Sequence, residues 1–327
     1  MAGILVIKFG ALGDVVIATS AIRSIQLARP NKALWVMTGK MFANIFQDWP
    51  GVNLHAVERK GVFNTAKQLL WLRRQRFEEI VDLQSNDRSA LLCALSGVAV
   101  RIGNHPRFPY TVYPPTFHGK DEPGYQRQAL MLEAAGLPAP QPRPYLPLSA
   151  EQKAEVQTWL VENHLIDRPL ALMHAGASPM WPAKRWPNFP ALAKQITDRK
   201  IHVVWLGAGN DRSINAQFAQ TVGIDATDVF SISQLAELAR HARFAVTNDS
   251  GPMHVLSAAG IPVYGLFGPT DWRRCHAMGQ RERALANSES CAACSRPDRA
   301  TARDHTCLSG ISTEYVFNRL LQDKLIE

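Results

Sequence analysis

The side chains best placed to do chemistry stand in short polar turns that follow apolar runs. Phe244-Ala245-Val246 leads into Thr247-Asn248-Asp249-Ser250-Gly251-Pro252-Met253-His254. A strand ending in such a turn presents free backbone N–H groups and the positive end of a helix dipole, which suits a diphosphate. Proline is favoured in the first helical turn, so the helix is expected to begin near Pro252 with Asp249 or Ser250 as its cap. The same letters also suit an ordinary strand-turn-helix. Asp14 ends the turn Gly10-Ala11-Leu12-Gly13-Asp14, where it is either a cap or a general base for a hydroxyl nucleophile. Lys184, in Pro182-Ala183-Lys184-Arg185-Trp186-Pro187, is a surface lysine or a clamp on a leaving diphosphate.

These turns need strands and helices to hold them. Strands are expected at Ile4–Ile7, Leu34–Met37, Leu54–Val57 and Ile80–Leu83, with helices at Val15–Leu27 and Thr65–Gln75. A second series comprises helix Glu151–Glu162, strands Leu170–His174 and His202–Leu206, helix Ser233–His241, and strands Phe244–Thr247 and Val263–Leu266. Between the two series, Pro138, Pro140, Pro142, Pro144 and Pro147 exclude regular structure and predict an extended linker. Strands alternating with helices mean parallel sheets. The expected fold is α/β, two facing Rossmann-like domains with an interdomain cleft, residues 1–148 and 149–311. Chemistry is then expected in loops at strand carboxyl ends: Gly10–Asp14, Ala175–Trp186, Gly207–Asp211 and Asn248–Gly251. The first is neither a G-x-G-x-x-G fingerprint nor a Walker loop, so nicotinamide chemistry and P-loop hydrolysis lose their support.

Composition narrows the partners. The chain has 327 residues, 46% hydrophobic and 20% charged, which is globular. No apolar run approaches the ~18 residues of a membrane helix and no cleavage site follows the amino terminus, so a cytoplasmic location is expected. A net charge of +8 suits nucleic acid, anionic membrane or phosphorylated small molecules. No basic tail or nucleic-acid signature accompanies it, which argues against nucleic acid. Seven arginines between Arg273 and Arg303 form the densest basic region, either a solvated face or a patch meeting anionic lipid headgroups. Cys291-Ala292-Ala293-Cys294 with Cys307 has half the spacing of a zinc knuckle, with His305 or Cys275 as a fourth ligand. A structural zinc or iron site and free reduced thiols both remain open.

Taken together, the motifs Lys8-Phe9-Gly10-Ala11-Leu12-Gly13-Asp14, His174-Ala175-Gly176-Ala177 with Ala183-Lys184-Arg185-Trp186-Pro187, and Thr247 to His254 with Phe267-Gly268-Pro269-Thr270 resemble glycosyltransferase family 9. That family contains the ADP-heptose:lipopolysaccharide heptosyltransferases, and the wording is nearer to the type that adds the second heptose. The resemblance implies a GT-B fold, inverting transfer from ADP-heptose to a sugar hydroxyl of the lipopolysaccharide inner core, and no catalytic metal or cofactor. It also implies a carboxy-terminal helix near 312–325 that packs back on the first domain. By the same resemblance Asp14 is the catalytic base and Lys184 contacts the donor. Asp249 orients the donor sugar, Ser250, Gly251 and Met253 cradle the diphosphate, and His254 stands on the following helix. Ser178 matches a hydroxyl position, Phe230 an adenine pocket and Asp211 a ribose contact; Gly13 and Arg101 fall on the acceptor side. Segments Lys60–Phe63 and Arg101–Tyr113 are basic and aromatic, fitting an anionic acceptor or a solvated loop. A protein acceptor, a different nucleotide sugar and a non-catalytic binding module are the alternatives.

Overall fold

The computed structural model describes residues 3–58, 61–117, 119, 122–287 and 307–327. The chain divides into two compact units, Met1–Pro147 and Leu148–Glu327. The first runs β1 (Gly3–Ile7), α1 (Leu12–Ala28), β2 (Ala33–Gly39), α2 (Asn44–Gln47), β3 (Val52–Val57), α3 (Val62–Gln75), β4 (Glu79–Asp82), α4 (Asp87–Leu95), β5 (Val100–Ile102) and α5 (Gly124–Ala134). Its parallel sheet has the order β3-β2-β1-β4-β5. The central strand β1 is buried at every residue, as expected of a strand covered on both faces. The strand order reverses between β1 and β4, which makes their carboxyl ends the switch point of this sheet.

The second unit runs α6 (Ala150–Glu162), β6 (Leu170–His174), α7 (Phe189–Asp198), β7 (His202–Trp205), α8 (Arg212–Ala219), β8 (Ile224–Asp225), α9 (Ile232–Arg240), β9 (Phe244–Asn248), α10 (Gly251–Ser257), β10 (Val263–Phe267), α11 (Trp272–Cys275), β11 (Ala284–Ala286) and α12 (Thr313–Gln322). Its sheet, also parallel, is ordered β11-β10-β9-β6-β7-β8, with the switch between β6 and β9. Capping boxes start α6 (Ser149 with Gln152) and α9 (Ser231 with Gln234), each satisfying two otherwise orphaned N–H groups.

One sequence expectation changes. The proline-rich segment is extended, but it is no free linker. Ser20 Oγ donates to the Gln141 carbonyl at 2.5 Å, the Tyr145 N–H donates to Thr19 Oγ1 at 2.9 Å, and the Tyr145 ring packs on Trp49 with centroids 5.0 Å apart. The segment straps α1 instead. The carboxy-terminal helix α12 packs on α7 of the second unit. Its apolar residues Val316 and Leu320 join the core built around Phe189, Trp205 and Tyr264, which accounts for the burial that helix needs. The short strands β5, β8 and β11 and the helices α4, α5 and α8 were not expected; the strands have only two or three residues each, too few for periodicity to mark.

Candidate functional site

At the switch point of the second sheet, loops from four adjacent strands converge. Asn248 ends β9 fully buried and holds two of them together, its own and the one after β6. Its Nδ2 donates to the carbonyls of Ala175 at 2.8 Å and Gly176 at 3.1 Å, while its Oδ1 accepts from the Trp186 N–H at 3.0 Å. Trp186 is fixed further by its Nε1 donating to the Ile311 carbonyl at 2.8 Å. The loop carrying Lys184 is thereby locked against β9 although 64 residues separate Lys184 from Asn248 in sequence.

That lock brings Lys184 onto Asp249. Lys184 Nζ donates to Asp249 Oδ2 at 2.6 Å, with the two side chains only 17% and 9% exposed, and lies 5.0 Å above the Trp181 ring. Thr270, in the loop after β10, donates to the same carboxylate oxygen at 2.5 Å. A cation, a carboxylate and a hydroxyl thus meet at the carboxyl edge of the sheet, the chemistry needed to hold a polyol and an anion together.

A second group lies beside them. Ser250 Oγ is 3.2 Å from His174 Nδ1, and His174 Nε2 is 3.7 Å from Asp211 Oδ2. Burial alone would raise the Asp211 carboxyl; the neighbouring His174 ring, the Ala208 N–H and the Arg185 guanidinium outweigh it and hold Asp211 below the usual carboxylate value. Its Oδ1 takes no hydrogen bond among the described residues, with Arg185 Nη2 3.8 Å away. The carboxylate rests on the main chain of Gly176, where any Cβ would come within 2.3 Å of Oδ1. Glycine at 176 is what permits the approach.

The remaining second-unit residues take varied places. Ser250 is the cap residue of α10 by position, with Pro252 in the first turn as expected, but its hydroxyl turns to Asn248 O and His174 and does not cap. Gly251 opens α10; the Met253 side chain is fully buried in the core and His254 is buried on the same helix. Ser178 is exposed in the loop before Lys184. Phe230 is half-buried and packs edge-on to Trp159, centroids 5.0 Å apart. Cys291, Cys294 and His305 lie outside the described residues; Cys275 is a half-buried thiol, Cys307 is half-buried, and no group of three ligating side chains occurs among the described residues.

In the first unit Asp14 is exposed in the opening turn of α1, one residue past Gly13. Behind it, Lys8 is buried and donates to the Leu83 carbonyl at 3.0 Å. Burial pushes the Lys8 ammonium down, against the charges of Asp14 and Asp82. Asp82 is fully buried and accepts from Tyr110 OH at 2.6 Å and from the N–H groups of Gln84 and Ser85 at 3.0 Å; burial nonetheless raises its carboxyl. Gly103 lets the Tyr110 ring in, since a Cβ there would stand 2.3 Å from it. Next to this buttress, a cavity of about 300 Å³ is lined by Asn86, Asn104, His105, Arg107, Phe108 and Arg127 among others. Arg101 does not point its charge outward: its guanidinium donates to the carbonyls of Val98 and Pro109 and braces its own loop.

Sequence reasoning passed over Asn248, His174 and Thr270 as separate actors, although all three lie inside quoted motifs. Lys8, Asp82 and Tyr110 read as strand and loop letters, and nothing in their spacing signalled that they meet.

Several known proteins resemble this chain. It is 25% identical over 298 residues to lipopolysaccharide heptosyltransferase 2 of Escherichia coli strain K12, covering 82% of this chain and 83% of that one. It is 26% identical over 318 residues to lipopolysaccharide heptosyltransferase 1 of Pseudomonas aeruginosa, covering 89% and 85%. The solved structure of E. coli ADP-heptose lps heptosyltransferase II superposes with a TM-score of 0.73 at 24% identity, over 98% of this chain and 99% of that one, and fixes the fold as GT-B. No helix among the described residues is long and apolar enough to cross a membrane. Residues 66–302 match the model of glycosyltransferase family 9 (heptosyltransferase), and the chain belongs to that family of transferases.

Proposed function

We propose that the protein transfers a heptose from ADP-heptose to a sugar hydroxyl of the lipopolysaccharide inner core, with inversion at the anomeric carbon. The observation that carries this reading is the Lys184–Asp249 pair at the switch point of the second sheet, with Thr270 on the same carboxylate. Asp249 accepts from hydroxyls of the donor sugar, as it accepts from Thr270 here. Lys184 exchanges its carboxylate partner for the diphosphate and stabilises the charge that grows as ADP leaves. Ser250, Gly251 and the main chain at Met253 supply the phosphate cradle. Asp211 takes the ribose hydroxyls, and Phe230 and Ser178 border the nucleoside.

On the first unit, Asp14 removes the acceptor proton as its oxygen attacks. The cavity lined by His105, Arg107 and Arg127 receives the anionic acceptor, Gly13 serves the acceptor side next to Asp14, and Arg101 braces its loop. No metal takes part in the transfer. The protein works in the cytoplasm, touching the anionic inner membrane surface where its lipid acceptor resides, and nucleic acid has no place in the reaction.

Calorimetry and thermal shift with ADP-heptose, ADP, UDP-sugars and GDP-sugars test the donor, because a ligand that binds the native state raises its stability by mass action. Selective stabilisation by ADP and ADP-heptose is expected; preference for a uridine or guanosine nucleotide would overturn the heptose assignment. Asp14→Asn is expected to bind ADP as the parent does while transfer collapses, and undiminished transfer would remove Asp14 from the mechanism.

A further inference from the structure

We propose that the groove between α3 and α4 is a lipid-docking surface, taking acyl chain from an anionic bilayer while the basic side chains of α3 meet its phosphates. The inference assigns a surface to the membrane contact of the proposed function, and its test uses neither donor nor acceptor. The groove has a volume of about 590 Å³, within the usual range for small-molecule sites, and its walls include Ala66 and Leu69 of α3 and Leu91, Leu92 and Leu95 of α4. Its α4 wall is apolar and wet, with Leu91 49% and Leu95 42% exposed, and a neighbouring face of α3 adds Phe63, 87% exposed, and Leu70, 56% exposed. Large apolar side chains gathered so openly mark an interaction surface.

The charges choose the partner. Phe63, Lys67, Leu70 and Arg74 recur at helical spacing, so exposed apolar and basic side chains share one face of α3. Arg73 stands beside them, its Nε donating to the Leu95 carbonyl at 2.8 Å across the groove. Helix α3 has no acidic residue, and the nearby Glu58, Glu78 and Glu79 are paired with Lys40 and Lys32. Asp87 is the acidic side chain on the groove wall. Protein–protein interface cores are depleted in lysine, whereas helices lying in a membrane interface pair apolar residues with Lys and Arg that reach the headgroups. The pattern therefore fits a bilayer better than a second copy of the chain. It draws on different residues from the arginine-rich stretch between Arg273 and Arg303 that composition alone picks out.

The experiment is co-sedimentation of the full chain with vesicles of phosphatidylcholine alone, or of equimolar phosphatidylcholine and phosphatidylglycerol, over a range of salt. The parent protein is expected to pellet with the mixed vesicles only, and less as salt rises. Lys67→Ala with Arg74→Ala is expected to lower the partition coefficient about 30-fold, from roughly fivefold per basic side chain at a lipid surface. Leu91→Asp is expected to weaken binding while keeping its salt dependence, and all variants should retain the parent's thermal midpoint because the altered side chains are exposed. Failure of the parent to bind mixed vesicles would overturn the proposal. So would variants that bind like the parent, which would move the contact elsewhere. Self-association in ultracentrifugation that Leu91→Asp abolishes, with vesicle binding unchanged, would assign the groove to a second copy instead.

Discussion

Removing the ammonium of Lys184 should expose how much the resting site depends on its pairing with Asp249. The two atoms are 2.6 Å apart and the side chains 17% and 9% exposed, so the pair is more buried than a surface bridge. Exposed pairs contribute at most about 1 kcal/mol, whereas removing one partner of a fully buried pair costs about 3–5 kcal/mol. Lys184→Met leaves the Asp249 carboxylate with the Thr270 hydroxyl as its side-chain donor. A loss of about 2 kcal/mol is expected, since one charge-assisted bond goes and a neutral donor remains. For a unit of this size that is a fall of about 4–8 °C in thermal midpoint. Asp249→Asn should cost about 1 kcal/mol, because the flexible lysine stem can carry its charge to water over the Trp181 ring. The double variant should then show a coupling of about 1–2 kcal/mol, as residues in contact do. Scanning calorimetry of the four proteins measures this, and ADP titration of each reports the donor side. A Lys184→Met midpoint within a degree of the parent's, or additive single effects, would refute the view that the two loops are held by this pair.

Three further outcomes follow from the geometry. Gly176→Ala places a Cβ 2.3 Å from Asp211 Oδ1, so about 1–3 kcal/mol of stability should be lost; Gly209→Ala, with no atom within 4 Å, is the control, and equal midpoints for the two would count against the account. Asp211→Asn should be destabilising at neutral pH: the native carboxyl is held below its ordinary value, so its contribution is present above the unfolded value near ~3.9 and is lost as pH falls through the lower native value. Thermal midpoints of parent and variant should converge as pH falls below ~3.9, and a gap that does not shrink over that fall would contradict the assignment. Leu320→Ala, in the helix packed on α7, should cost about 2–5 kcal/mol in chemical denaturation, whereas a negligible cost would mean α12 is not part of the second core.

Much of the fold was legible because parallel sheets are buried on both faces. The strands Leu170–His174, Phe244–Asn248 and Val263–Phe267 are near-continuous apolar runs, and the turns after them carry the polar residues that cannot be buried. The edge strands β8 and β11 escaped notice because two or three residues contain no period. Helix α12 shows another limit. Its amphipathic pattern marks the helix from Thr313 to Gln322, but a pattern states only that one face must be covered, not what covers it.

Local chemistry was decided by the residues themselves: which turns are glycine-permissive, where Pro252 can start a helix, that Asp14 opens α1, and that no membrane-length apolar run exists. Those properties depend on neighbours within a few positions, which is the range over which dihedral preference and capping act. Tertiary structure alone decided which of these side chains meet. Lys184 reaches Asp249 across 65 residues because Asn248 bolts two loops together, and Arg101 is spent on its own loop by the turn at Pro109. Asp211 comes to His174 because Gly176 lacks a side chain in the space its carboxylate occupies. Contacts of that kind are set by strand order and by the shape of the main chain, and both arise only when the sheet has been assembled.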